Sequence, residues 1–274
     1  MTSMLTSLLK GRVSSDELAL LPRGWRIIGD AIIVREKIGV GSWGLVGEAL
    51  LDIYPRCRYV LLDHGTRGVF REPEREVIAA RGTINSFETI HVENGCRFKL
   101  DTMHISFSQG NFYEKQRLTS LCRDEVVLDM FAGIGYFTIP IAAHSIAKRV
   151  VAIEINPLAY RYLKENIRLN RVEDRVETIL GDCGRFAPID AADRVIMGYL
   201  SSQQYLGSGI SALRSGGVLH YHEAVPEPLY PTRPNERIKE VVFELGRRIE
   251  SLTTRRVKKY SPGVLHSVTD ARIN

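Results

Sequence analysis

Three acidic residues stand at the ends of three successive apolar runs. Asp129 closes "EVVLD", Glu154 closes "RVVAIE", and Asp182 follows "RVETIL" in "LGDCGRF". Between the first two, "DMFAGIGYFTIP" sets Gly133 and Gly135 in a Gly-x-Gly turn. Glycines there let the backbone approach a ligand closely and leave N–H groups free to face it. Glu154 falls 21 positions after Gly133, the spacing at which a strand-end carboxylate accepts hydrogen bonds from both hydroxyls of a ribose. Asp182 is placed to accept from an adenine amino group, helped by the Cys183 backbone.

Any one of these acids is explained as well by a helix cap or a surface charge. Together with the glycine turn they describe a nucleoside site, to which Phe131 and Ile155 are expected to add contacts. A nicotinamide-binding loop would carry a third glycine where Thr138 stands and would not normally end its strand in aspartate. The set therefore points to S-adenosyl-L-methionine.

Positioning these residues requires alternating strands and helices. "EVVLDM", "RVVAIEI", "RVETIL", "DRVIMGY" and "GVLHYHE" have strand length, with helical patterns between several of them. In "NPLAYRYLKENIRLN", Asn156 and Pro157 make a helix start, with Ala159, Leu163 and Ile167 on one face. A second helix is expected after Pro234, with Ile238, Val242, Leu245 and Ile249 on one stripe. "RRVKKYSPGVLHSVTDARI" reads as an antiparallel hairpin turning at Ser261-Pro262-Gly263 and closing the sheet edge. The fold class is α/β: a Rossmann-like, mostly parallel sheet with an antiparallel edge hairpin.

Before residue 115 the texture is different. Segments are short and β-like, and Asn94-Gly95 supplies the two left-handed residues of a tight hairpin turn. The expected domains are an N-terminal extension over 1–19, a small β-rich α+β domain over 20–115, and the nucleoside-binding catalytic domain over 116–274.

At 274 residues, with 44% hydrophobic and 25% charged residues, the chain has the composition of a globular protein. Cys57, Cys96, Cys122 and Cys183 form no C-x-x-C pair, which fits a reducing compartment. No signal peptide or bilayer-length apolar run is evident, so a cytoplasmic location and no membrane partner are expected. His220 and His222 share a strand face without a third ligand at a supporting spacing, so no metal is expected. The net charge of +5 is modest, but it is clustered. Arg67, Arg71, Arg75 and Arg81 form one basic segment, and Arg247, Arg248, Arg255, Arg256, Lys258 and Lys259 another. Arg67, Arg71, Arg75, Arg255, Arg256, Lys258 and Lys259 are the expected RNA contacts.

"DMFAGIGYFTIPIA", "AIEINPLAYRYLKENIRLNRV" and "IHVENGCRFKLDTMHISFSQGN" resemble the class I S-adenosylmethionine-dependent transferases. More closely, they resemble the family that holds the tRNA guanine-37 N1-methyltransferases and the wybutosine-synthesising aminocarboxypropyltransferases. The resemblance covers most of the chain from about Trp25 onward and implies tRNA as partner; protein partners are not indicated. It also favours Ser108 and Lys115, and less strongly Arg117, as contacts to the cofactor carboxylate.

Within that family the N1-methyltransferases carry an Asn-Leu-Pro type motif after the fourth strand and an arginine after the "F-S-P" approach. This chain has Met197-Gly198-Tyr199 and Gly110-Asn111 in those places. Both departures match the aminocarboxypropyltransferase branch, especially its archaeal form. A ring N1–H must be deprotonated to become a nucleophile, which calls for polar groups at the base. The implied acceptor, C7 of 4-demethylwyosine, loses its proton only after attack. Selection between the donor's carbons would then rest on orientation, with Asn111, Tyr199 and Glu223 as candidate catalytic residues and no general base assigned. Tyr199 is read as stacking on an extruded base or as a core tyrosine, and Glu223 as a pocket residue or a buried hydrogen-bonding group. The alternatives are a guanine N1-methyltransferase of the same fold and a non-catalytic RNA-binding module.

Overall fold

The computed structural model describes residues 4–274. They form two compact units: the first runs to Glu93 and includes Arg97–Gln109, and the second comprises Asn94–Cys96 and Gly110–Asn274.

The first unit opens with α1 (Met4–Leu9) and α2 (Ser15–Leu20). Strands β1 (Arg26–Ile28) and β2 (Ala31–Arg35), helix α3 (Trp43–Ile53), and strands β3 (Tyr59–Arg67) and β4 (Glu72–Ala80) follow. The sheet order is β1-β2-β3-β4, and only β2 and β3 run parallel. A parallel pair needs a crossover, which α3 supplies. Leu5 and Leu9 of α1 are fully buried in one core with Ile32, Val46, Leu50 and Val60. Residues within the expected extension over 1–19 thus pack as part of this unit, because their apolar side chains cover α3. A two-stranded hairpin follows, β5 (Glu88–Glu93) and β6 (Cys96–Asp101), turning at Asn94 and Gly95 with φ of 52° and 72°. The left-handed turn read from the sequence is therefore present.

The second unit carries α4 (Phe112–Leu121), β7 (Val126–Asp129), α5 (Thr138–His144), β8 (Arg149–Glu154), α6 (Pro157–Leu169), β9 (Val176–Leu180) and α7 (Cys183–Phe186). These are followed by β10 (Ala192–Met197), α8 (Leu206–Ser211), β11 (Leu213–Pro226), α9 (Thr232–Glu244), β12 (Ile249–Ser261) and β13 (Val264–Ile273). Its seven-stranded sheet has the order β12-β13-β11-β10-β7-β8-β9. The five strands from β11 to β9 run parallel, and β13 and β12 close the other edge as the expected antiparallel hairpin. The chain proceeds outward from β7 through β8 to β9, then returns to place β10 on the other side of β7. That reversal makes a crevice at the carboxyl ends of β7 and β10, the position where open α/β sheets bind ligands.

Leu128, Ile153, Val195, Met197, Leu219, Ile238 and Val242 belong to the core on one side of this sheet. Helix α9 begins at Thr232 and ends at Glu244, with Gly246 at φ 66°. The stripe expected to run on to Ile249 stops early: Ile238 and Val242 are buried, Leu245 is 41% exposed, and Ile249 starts β12. A left-handed glycine at this point terminates the helix.

Candidate active site

Asp129, at the end of β7, is fully buried. The Thr138 hydroxyl donates to its Oδ2 at 2.8 Å, and the Phe131 N–H donates to Oδ1 at 3.4 Å. Burial pushes the Asp129 carboxyl up to about 6, against the pull of the Thr138 hydroxyl and with a further push from Glu154. Glu154, one strand over, receives the Gly133 N–H on Oε2 and the Asn156 N–H on Oε1, each at 2.7 Å. Its carboxyl is also raised, because burial outweighs these amides and that of Ile155.

The glycine turn is tight. Gly133 and Gly135 have φ of 57° and 103°, which side-chain-bearing residues rarely adopt. A Cβ on Gly135 would also come within 2.5 Å of Ile139. From α6, buried Asn166 donates its side-chain N–H to the Ile134 carbonyl at 3.0 Å and pins the loop from below. Asn156 caps the same helix, accepting from the Leu158 and Ala159 amides.

Asp182, beyond β9, caps α7 through the Gly184 N–H at 2.8 Å. One carboxylate oxygen thus has the helix-cap role that the sequence left open. Cys183 is buried, and burial pushes its thiol up to about 12, so it is no nucleophile. Phe131 sits between two tyrosines, Tyr199 and Tyr205, with each ring centroid 5.5 Å away. Glu154, Phe131, the glycine turn, Asp182 and Tyr199 therefore gather at the carboxyl ends of β7 to β10.

Lys115 is 1% exposed, with its ammonium 5.7 Å over the Tyr136 ring. Asn111 precedes α4 without capping it, and its buried Oδ1 has no hydrogen-bond partner. Ser108 lies in the first unit. Arg117 is committed elsewhere: Glu114 accepts from it at 2.8 and 2.6 Å, and Asp270 at 2.8 and 3.2 Å. Two carboxylates already satisfy its fork, which removes it from the expected cofactor contacts. Glu223 is 1% exposed, and its Oε1 accepts from Arg233 at 2.7 Å and from Arg237 at 2.6 Å. It is a buried anchor for two arginines, not a pocket residue.

One of the expected RNA contacts is corrected. The Arg75 side chain is fully buried, donating to Asp63 and to the carbonyls of Thr102 and Ile105. Arg255 donates to Asp270 at 2.8 Å. Arg75 holds its own fold together, because a buried carboxylate requires a partner, whereas the Arg255 side chain is 39% exposed. Arg67 pairs with Glu74 but is 76% exposed, and Arg71 is exposed in the β3–β4 turn. Lys258 is half-buried beside Gly110, whereas Arg256 and Lys259 are exposed on β12. A surface depression lined by Asp124, Lys148, Arg149, Asp193 and Arg214 opens at the opposite end of the parallel strands. Arg214 and Asp193 already pair there at 3.0 Å, and none of the strand-end acids reaches it.

Sequence reasoning gave no role to Thr138, Asn166 or Tyr205. Nor did it foresee the buried histidines: His220 bonds Asp270 at 2.6 Å, and His222 shares a hydrogen bond with His266 at 2.9 Å. Their spacing to partners 44 and 50 residues away leaves no local trace. Burial lowers the basicity of all three, His220 and His266 to about 4, so they are neutral near pH 7.

Residues 89–250 match the model of the TRM5/TYW2 methyltransferase domain, and residues 5–83 match that of the TYW2 N-terminal domain. The chain belongs to the TRM5/TYW2 methyltransferase family. One relative in this family, from Methanocaldococcus jannaschii, is named tRNA(Phe) (4-demethylwyosine(37)-C(7)) aminocarboxypropyltransferase. It is 43% identical over 89% of this chain and 96% of its own. A solved structure from Pyrococcus horikoshii, described as TYW2 in complex with MeSAdo, aligns with a TM-score of 0.83 and 33% identity over 100% of this chain and 99% of its own. Wild-type Trm5b from Pyrococcus abyssi aligns with a TM-score of 0.85 and 34% identity, over 96% of this chain and 78% of its own. Both structures thus align with the backbone of this chain. Among the described residues no helix is long and apolar enough to cross a membrane.

Proposed function

We propose that this protein transfers the 3-amino-3-carboxypropyl group of S-adenosyl-L-methionine to C7 of 4-demethylwyosine, next to the anticodon of tRNA(Phe). The reading rests on the 43% identity, over nearly the whole of both chains, to a relative named for that reaction. The match of residues 5–83 to the TYW2 N-terminal domain points the same way.

The donor set fits a nucleoside. Carboxylates end three adjacent strands, and a glycine turn lies beside the middle one. Glu154 is the group for the ribose hydroxyls, since each oxygen uses one lone pair on a backbone amide and keeps another. Asp182 and the Cys183 backbone are the groups for the adenine edge, with Phe131 and Ile155 against the ring. Lys115 is the group for the donor carboxylate. Arg67, Arg71, Arg256, Lys258 and Lys259 are the groups for RNA phosphates.

The donor's sulfonium supplies an electrophilic γ-carbon. C7 of the acceptor forms the new bond there, and the γ-carbon to sulfur bond breaks with its electron pair staying on sulfur. The neutral product is methylthioadenosine, and the acceptor's ring proton passes afterwards to water. The residues bind and orient, and alignment of reacting atoms supplies much of the barrier lowering. A cytoplasmic location belongs with this reading, since tRNA is the substrate.

Mass spectrometry of the small-molecule product, after incubation with the donor and tRNA bearing 4-demethylwyosine, tests the proposal. Methylthioadenosine is expected. S-adenosylhomocysteine would mean methyl transfer and would overturn it.

A further inference from the structure

The plainest residue at the crevice is Gly198, one position beyond β10. A Cβ built on it would come within 2.7 Å of Cε2 and 3.2 Å of Cδ2 of Phe137. The Phe137 ring therefore occupies the space that a side chain at 198 would enter. This residue follows the glycine turn after β7 and precedes α5. Its ring thus reaches from the loop of one strand onto the end of the next, across the reversal point of the sheet.

The ring is held in place from behind. Phe137 is 5% exposed. His222 packs against it with ring centroids 5.6 Å apart. His222 itself is fixed by its 2.9 Å hydrogen bond to His266 across the β11–β13 pair, and both histidines are fully or almost fully buried. An aromatic ring backed by a buried, hydrogen-bonded pair has little freedom to turn aside.

Resting on the proposed aminocarboxypropyl transfer, we propose that Phe137 is a specificity-determining residue. Its ring closes the β10 side of the crevice and so fixes which carbon of the donor faces the acceptor. A polar side chain at 198 and the Phe137 ring in this position exclude one another. The glycine is what the ring requires, and the ring, not residue 198, shapes the pocket. Orientation is a strong lever here, because a misplacement of about 1 Å between reacting atoms costs on the order of a hundredfold in rate.

The test compares wild type, Phe137→Ala, Phe137→Leu and Gly198→Ala by product analysis with the donor and tRNA bearing 4-demethylwyosine. Donor affinity is measured in parallel by calorimetry and folding by thermal melting. Wild type reports on the proposed function alone: methylthioadenosine supports it, and S-adenosylhomocysteine sinks it. The variants report on Phe137. S-adenosylhomocysteine should rise to about a tenth or more of product in Phe137→Ala, and appear in Gly198→Ala, which displaces the ring, while donor affinity changes by less than about threefold. Methylthioadenosine alone at wild-type rate in either folded Phe137 variant would overturn the inference. Loss of both products with donor binding intact would overturn it too, since the ring would then serve turnover and not choice. Should Phe137→Ala fail to fold, Phe137→Leu and Gly198→Ala decide by the same outcomes.

Discussion

The Thr138 hydroxyl donates to the Asp129 carboxylate at 2.8 Å, at the position where a dinucleotide-binding turn would carry its third glycine. Replacing that glycine with a hydroxyl allows a carboxylate to be buried completely at the end of β7. The arrangement holds a charge beside the crevice at a cost to stability.

That cost has a pH signature. The Asp129 carboxyl sits at about 6 in the folded protein against 3.8 ordinarily, burial being the main cause. Between these values the folded state keeps a proton that the unfolded state has released. Stability contributed at this site is therefore present below about pH 4 and lost as pH rises through about 6, by about 3 kcal/mol. In Asp129→Asn this loss should vanish. Denaturant unfolding from pH 4 to 7 should show the variant gaining on wild type as pH rises. Parallel curves would refute the assignment.

Glu154 joins the glycine turn to the start of α6 by two amide hydrogen bonds of 2.7 Å. Glu154→Ala removes both and leaves the Gly133 and Asn156 amides without their carboxylate. Donor affinity should fall about ten- to a hundredfold, the range for a lost hydrogen bond to a charged group. Glu154→Gln, which keeps a carbonyl for one amide, should fall less. Calorimetric titration of the donor measures both.

How much of this was readable in advance depended on range. The strand-end acids, the glycine turn, the Asn156 cap and the Asn94-Gly95 and Ser261-Pro262-Gly263 turns announce themselves, because each is set by residues within a few positions. The burial of Arg75 against Asp63 and the bridge from Arg117 to Asp270, 153 positions on, do not. From the sequence Arg75 is expected at RNA and Arg117 at the cofactor carboxylate. Only the fold brings a carboxylate beneath them. Gly198 looked featureless for a similar reason, since the side chain that fills its space is Phe137.

The same distinction separates the proposed RNA contacts from structural arginines. Arg256 and Lys259 are exposed on β12. Neutralising both should weaken tRNA binding and lower the slope of log affinity against log salt by about two. Arg75→Ala should instead lower the melting temperature without a specific change in that slope. Binding measured from low to moderate salt, beside thermal melts, discriminates the two. An unaltered slope in the Arg256, Lys259 double variant would remove β12 from the RNA interface.

Asp270 tests the buried network from its centre. It accepts from Arg117 at 2.8 Å, Arg255 at 2.8 Å and His220 at 2.6 Å. Burial alone would raise its carboxyl, but the His220 hydrogen bond and the Arg117 guanidinium hold it well below the usual carboxylate range. A depressed carboxyl contributes stability that is present above its unfolded pKa and is lost as pH falls toward the folded one. Asp270→Asn leaves Arg117 and Arg255 short of a partner, a loss of about 1.5–3 kcal/mol for hydrogen bonds to a charged group. The deficit should be largest near pH 7 and shrink below about pH 4, where the unfolded wild-type carboxyl takes up its proton and the native state loses its advantage. Unfolding free energies of variant and wild type across that interval measure it directly. A deficit independent of pH would show that the carboxylate's charge does not organise this network.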